Sequence, residues 1–178
     1  MRSSLKRVLP EEVTAEAETI ILEKIRAKMR ASCGILVKVV RALEAQFGKE
    51  TVHMIARKTL HQVHPRPARE LRTPEADLAD FLKKMEQGCA GTHEWRRKDH
   101  GPAKVSYEFT SCMWAQVFRK LNAADIGAWM CDGDDAAVRS FNPNLRCRTT
   151  KTLMKGDAIC NHVFYVSRRR PRIKKQRG

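Results

Sequence analysis

A chain of 178 residues, 42% of them hydrophobic, is the size of one domain and can bury about 70% of the surface its unfolded form exposes, so its core needs no disulfide or metal staple. A net charge of +15 invites a nucleic-acid reading, but Arg168, Arg169, Arg170, Arg172, Lys174, Lys175 and Arg177 crowd the last stretch without an acid, leaving 28 cations against 20 acids for residues 1–166. That block has no aromatic residue to stack on a base and supplies only the sequence-independent part of such binding, so no specific nucleic-acid partner is expected.

Nothing near the first residues resembles a secretory leader, and the cysteines at 33, 89, 112, 131, 147 and 160 form no CxxC pair or regular framework, which points to a reducing, cytoplasmic setting. Glu11 to Arg30 is rich in helix formers, and Cys33 to Phe47 repeats apolar residues until Gly48 stops it, so two helices are expected. The apolar run Gly34 to Val40 is broken by Lys38 and falls short of the roughly 20 residues a membrane span needs. A third helix covers about Lys49 to His61 and ends ahead of Pro65 and Pro67. His53, His61 and His64 lie on or just after it; no carboxylate at metal-ligand spacing accompanies them, and they read as core or surface histidines. The fourth helix takes Thr73 as N-cap, Pro74 as its first residue and Gly88 just past its end, with Leu78, Phe81, Leu82 and Met85 as its buried stripe.

After Gly91 the period changes. Val105, Tyr107 and Phe109 alternate with polar residues as a strand does, and Thr92 to Lys98 is its hairpin partner. Met113 to Leu121, Ala123 to Met130 and Asp134 to Phe141 return to short helices, with Asp132 or Asp134 able to cap the last. Turns at Asn142-Pro143 and Gly156-Asp157 bracket a strand over 144–150, and another follows over 160–166. The expected fold is α+β: N-terminal helices (about 1–90) packed on a C-terminal antiparallel β-sheet with intervening short helices (about 91–166), then a basic, disordered tail over 167–178 that is dispensable for chemistry.

Side chains able to do chemistry gather between Asp132 and Tyr165. The two-residue period puts Cys160, His162, Phe164 and Val166 on one strand face, so a thiol and an imidazole lie side by side. Cys112 is the rival thiol, at a strand-to-helix junction where backbone N–H groups favour a thiolate. Cys131 is weaker because acids follow it, and Asp134 and Asp135 read first as caps, although one of them facing the pocket could orient His162. Convergence of Cys112, Cys131, Cys160 and His162 on zinc stays open on spacing alone, but no metal site is assigned and no cofactor is expected. No P-loop, GxGxxG, GxSxG, HExxH or EF-hand loop occurs.

The segments Phe141-Asn142-Pro143-Asn144-Leu145, Thr149-Thr150-Lys151-Thr152-Leu153-Met154-Lys155-Gly156-Asp157 and Cys160-Asn161-His162, with Cys112 leading a helix that contains Phe118-Arg119-Lys120-Leu121, resemble the L-2-amino-thiazoline-4-carboxylic acid hydrolase family. The resemblance is close over roughly residues 110–166; one departure is Cys160-Asn161-His162-Val163 where the family often has Cys-Asp-Phe-Arg. It implies a hydrolase that opens a small ring at a C=N carbon. Such chemistry needs a nucleophile, a proton shuttle and a group that neutralises charge. Cys160 or Cys112 would attack, His162 would assist, Asp135 or Asp157 would supply an acid or activate water, and Arg148, Lys151 and Asn142 would hold a small anionic cyclic substrate. A non-catalytic ligand-binding or sensor domain is the alternative, since fold alone does not fix function.

Overall fold

In the computed structural model, residues 4–7, 9–63 and 77–167 are described, with the side chains of 60–63 and 100 left aside. The sequence suggested two helices before Gly48, but the chain forms one, α1 (Ala15–Phe47). Its start is capped by Thr14, whose hydroxyl accepts the Ala17 N–H, and Gly48 ends it at φ 81°. Between Arg30 and Cys33 stand only Ala31 and Ser32, neither a breaker, and the one interior glycine that follows, Gly34, costs about 1 kcal/mol, too little to break a helix packed along its length. Helix α2 (Lys49–Val63) follows at once.

Helix α3 (Leu78–Cys89) starts later than the expected Thr73-Pro74 signal, which lies outside the described residues. Its N-cap is Asp77, whose carboxylate accepts the Asp80 N–H while the Asp80 carboxylate accepts the Asp77 N–H, a reciprocal box that satisfies two otherwise orphaned donors. Gly88 lies inside its last turn, not beyond it. Strands β1 (His93–His100) and β2 (Lys104–Cys112) form the hairpin, then come the short helices α4 (Met113–Lys120), α5 (Ala124–Asp132) and α6 (Asp134–Phe141), and finally β3 (Leu145–Thr149) and β4 (Cys160–Val166). The four strands are ordered β1-β2-β4-β3 and every pairing is antiparallel, so the domain is α+β as expected. The basic tail from Arg168 lies outside the described residues.

Two cores result. Met29, Cys33, Val37 and Val40 recur at helical spacing along α1 and pack with Val52, Phe118, Ile126, Trp129 and Met154, so α1 and α2 cover the short helices and not the sheet. Leu78 and Leu82 of α3 cover the sheet face of Val105, Tyr107, Phe109, Leu145, Cys160 and Phe164, together with Val138 and Phe141 of α6. Gly127 lies within the first core: a Cβ there would lie 2.5 Å from Met154 Sδ and 2.8 Å from Phe118 Cγ, so only glycine lets the turn over 152–156 close onto α5. That turn is one wall of the site.

Candidate functional site

Strand register assembles the site. Opposed residues of an antiparallel pair share a face, so Phe109 lies beside Cys160, Tyr107 beside His162, and Thr149 beside His162 from the other neighbour. His93, at the start of β1, pairs with Cys112 at the end of β2. Asp134 arrives from the first turn of α6 and places Oδ2 3.0 Å from His162 Nε2. A carboxylate accepts only, so Nε2 carries a hydrogen, and in the neutral ring the lone pair is then on Nδ1. Nδ1 is buried without a hydrogen-bond partner among the described residues. The ring is held edge-on to Phe109 at 5.0 Å and parallel to Phe164 at 5.9 Å.

A second imidazole stands across Phe109. His93 is edge-on to that ring at 5.7 Å, and its Nδ1 lies 2.9 Å from Thr92 Oγ1. The Thr92 hydroxyl gives its one hydrogen to the Cys89 carbonyl, so His93 Nδ1 must donate to it. Burial pulls the His93 pKa down to about 4, against the attraction of Asp134, and the ring is neutral at physiological pH. Because the folded value lies below the ordinary 6.5, the unfolded chain binds the proton first, and stability falls as pH drops from 6.5 toward 4. A loss approaching about 3 kcal/mol is expected at the acid end, and a His93→Gln variant measured by denaturant unfolding should lack this share of the slope.

The thiols are neutral in the resting site. The Cys112 Sγ caps α4 by accepting the Ala115 N–H at 3.5 Å, which is the helix-start contact expected to favour a thiolate. Burial outweighs it and pushes the thiol up to about 11. Cys160 Sγ accepts the Leu153 N–H at 3.1 Å from the turn over 152–156, and burial again raises its pKa, with Asp134 and Asp157 adding to the rise. Cys89, Cys131 and Cys147 are pushed up to about 12, with burial the largest cause and Asp134 the next in each. Asp134 is thus the charge felt by the whole thiol and imidazole wall.

The other sequence candidates divide. Asp135 accepts the Cys147 N–H at 2.9 Å and pairs with Arg139, and Asp157 accepts the Thr152 N–H at 2.7 Å, so each holds a segment beside the site. Asn142 Oδ1 accepts the Asn144 N–H in the turn before β3. Arg148 is exposed and pairs with Val163, on the sheet face opposite Cys160 and His162. Lys151 is tied to the start of β4, its N–H donating to Asn161 Oδ1 at 2.7 Å. Sequence reasoning gave Asp134 first as a cap and assigned His93 nothing; neither carries a local signal, because both roles depend on how α6 and β1 lie against the sheet.

His53 does have carboxylates beside it, contrary to the expectation: Glu44 Oε1 at 2.5 Å and Asp125 Oδ2 at 4.0 Å, brought from α1 and α5. Arg41 bridges Glu44 and Asp125, and Lys49 reaches Asp125 at 2.9 Å, so cations already answer these acids and the cluster ties three helices together. It is the group of potential metal-binding side chains whose donor atoms converge among the described residues.

The architecture and these side chains define an α+β domain with a buried wall of thiols and imidazoles around one carboxylate. The chain belongs to the L-2-amino-thiazoline-4-carboxylic acid hydrolase family, whose model matches residues 26–164. None of the curated proteins matches it. Among solved structures, it is similar to the phenol-responsive sensory domain of the transcription activator PoxR, solved with phenol, at 11% identity and a TM-score of 0.47, covering 74% of this chain and 73% of that one. No helix of the described residues is long and apolar enough to cross a membrane.

Proposed function

We propose that the protein is a hydrolase that opens a small nitrogen-containing ring, thiazoline or cyclic amidine-like, by attack at its C=N carbon. Family membership supports the reaction class. The observation that carries the site is the His162 ring, with Nε2 held by Asp134 and Nδ1 buried without a hydrogen-bond partner among the described residues.

His162 Nδ1 takes the proton from the attacking group as the new bond to the ring carbon forms, and Asp134 stabilises the imidazolium. The C=N electron pair moves onto the ring nitrogen, which receives that proton. Collapse of the tetrahedral species then breaks a ring bond at the same carbon, the departing ring atom taking up a proton, and water, giving its proton to His162 Nδ1, next attacks that carbon and releases the enzyme thiol, so that one water is added in all. Cys160 and Cys112 are the proposed nucleophiles. Both enter the reaction as neutral thiols, so their activation coincides with attack and relies on His162. Lys151, whose backbone N–H is tied to Asn161, the residue after Cys160, is the cation proposed to hold an anionic substituent; Arg148, on the face opposite Cys160 and His162, serves this role less well.

Purified protein should consume L-2-amino-thiazoline-4-carboxylic acid or a related cyclic amidine carboxylate with saturable kinetics. Saturable binding of these compounds, with every molecule recovered unchanged, would favour a ligand-binding module instead.

A further inference from the structure

His93 takes no part in the proposed proton transfers, yet its ring is fixed as firmly as that of His162. Thr92 Oγ1 gives its hydrogen to the Cys89 carbonyl at 3.0 Å and accepts from His93 Nδ1 at 2.9 Å, so the neutral ring keeps its lone pair on Nε2. Both imidazoles lie edge-on to Phe109, His93 at 5.7 Å and His162 at 5.0 Å, and register sets His93 opposite Cys112. Two lone pairs therefore flank one ring. They differ in access. The fully buried side-chain nitrogens and oxygens without a partner among the described residues are Trp129 Nε1 and His162 Nδ1. His93 Nε2 also meets no donor among these residues but is not fully buried, so a ligand can reach it on a residue that is otherwise half-buried.

Proton affinity decides what such a lone pair can do. With a pKa of about 4, His93 cannot take the proton of a thiol whose own value is about 11, as Cys112 has. Accepting a hydrogen bond asks less: the lone pair only has to stay unprotonated, as it does through the neutral range. The neighbouring groups leave this acceptor unmatched, since Asp134 accepts from His162 Nε2 and the sulfurs of Cys112 and Cys160 accept backbone N–H groups. We propose that His93 Nε2 accepts an N–H from the ligand's amidine and so selects rings with an amino group on the electrophilic carbon. This role rests on the hydrolase reading, which brings that carbon to His162 and the thiols. A ring with methyl in place of amino would leave the acceptor desolvated and unpaired, at a cost of about 10- to 100-fold in affinity.

Calorimetric titration of the full chain with 2-aminothiazole-4-carboxylate and 2-methylthiazole-4-carboxylate tests the role apart from turnover, since an aromatic thiazole resists ring opening. Wild type is expected to bind the amino compound about 10- to 100-fold more tightly. His93→Phe keeps a ring against Phe109 and removes both nitrogens, so the two affinities should converge while circular dichroism shows an unchanged fold. His93→Gln, whose carboxamide oxygen can stand where Nε2 stood, should keep part of the preference. Thr92→Val frees the ring hydrogen to move to Nε2 and should lower the preference too, which provides a second readout if His93→Phe does not fold. Equal binding of the two compounds by wild type, no saturable binding of either, or a preference that survives His93→Phe would overturn the role. Hydrolysis is read separately: a preference lost in His93→Phe, in a protein that opens no cyclic amidine, would refute the hydrolase and leave His93 as the group that selects the ligand.

Discussion

A His162→Ala variant is expected to turn over its ring substrate about 10²- to 10⁴-fold more slowly than wild type, with the loss in kcat and little change in KM. In the proposed mechanism the imidazole is the base, so its removal leaves the attacking group with its proton. Asp134→Asn should cost a comparable factor for a different reason. The amide keeps the shape but can donate to Nε2, which favours the tautomer with the hydrogen on Nδ1 and removes the lone pair that the proposed base needs. Because Asp134 is proposed to act through His162, the two losses should not multiply in the double variant. Equal turnover by wild type and Asp134→Asn would show that the contact at 3.0 Å only holds the ring in place.

The second large effect belongs to the thiols. A serine hydroxyl keeps the shape but is a far poorer nucleophile, so replacing whichever of Cys160 and Cys112 attacks should reduce turnover by several orders of magnitude. The other replacement should cost mainly its packing and its contact, the Leu153 N–H in one case and the Ala115 N–H in the other. With its pKa near 11, Cys112 should react with iodoacetamide ever faster as pH rises past 9, since only the thiolate attacks and its fraction grows toward that value. If both serine variants keep near-full turnover, water activated by His162 and Asp134 is the nucleophile, and the thiols serve as packing.

Much of the fold could be read from periodicity. The alternation around Tyr107 and the turns at Asn142-Pro143 and Gly156-Asp157 mark the strands, and the antiparallel β1–β2 and β3–β4 pairings follow from their connections, whereas β2 pairs with β4 across the intervening helices. The sharing of one face by Cys160 and His162 was equally legible, because a strand's period is fixed. The same alternation sets Arg148 apart from Cys147 and Thr149 on the other face. What the sequence concealed is tertiary. No local pattern states that α6 will carry Asp134 onto His162 from 28 positions away, or that register will set His93 beside Cys112. The thiol pKa values were hidden for the same reason. The helix start at Cys112 is visible in sequence and favours a thiolate, but the burial that overrides it exists only once α4, the sheet and the turn over 152–156 have packed. The Glu44–His53–Asp125 cluster joins three helices and has no sequence signature at all.

Hydrolysis itself is tested most directly by a single turnover in ¹⁸O-labelled water, with protein in excess over L-2-amino-thiazoline-4-carboxylic acid and related cyclic amidine carboxylates, followed by mass spectrometry. Expected is complete conversion of one of them to an open-chain product that has gained one water and carries ¹⁸O, at a rate that collapses in His162→Ala. Recovery of every compound with its ring intact and unlabelled, from protein that binds it saturably, would contradict a hydrolase.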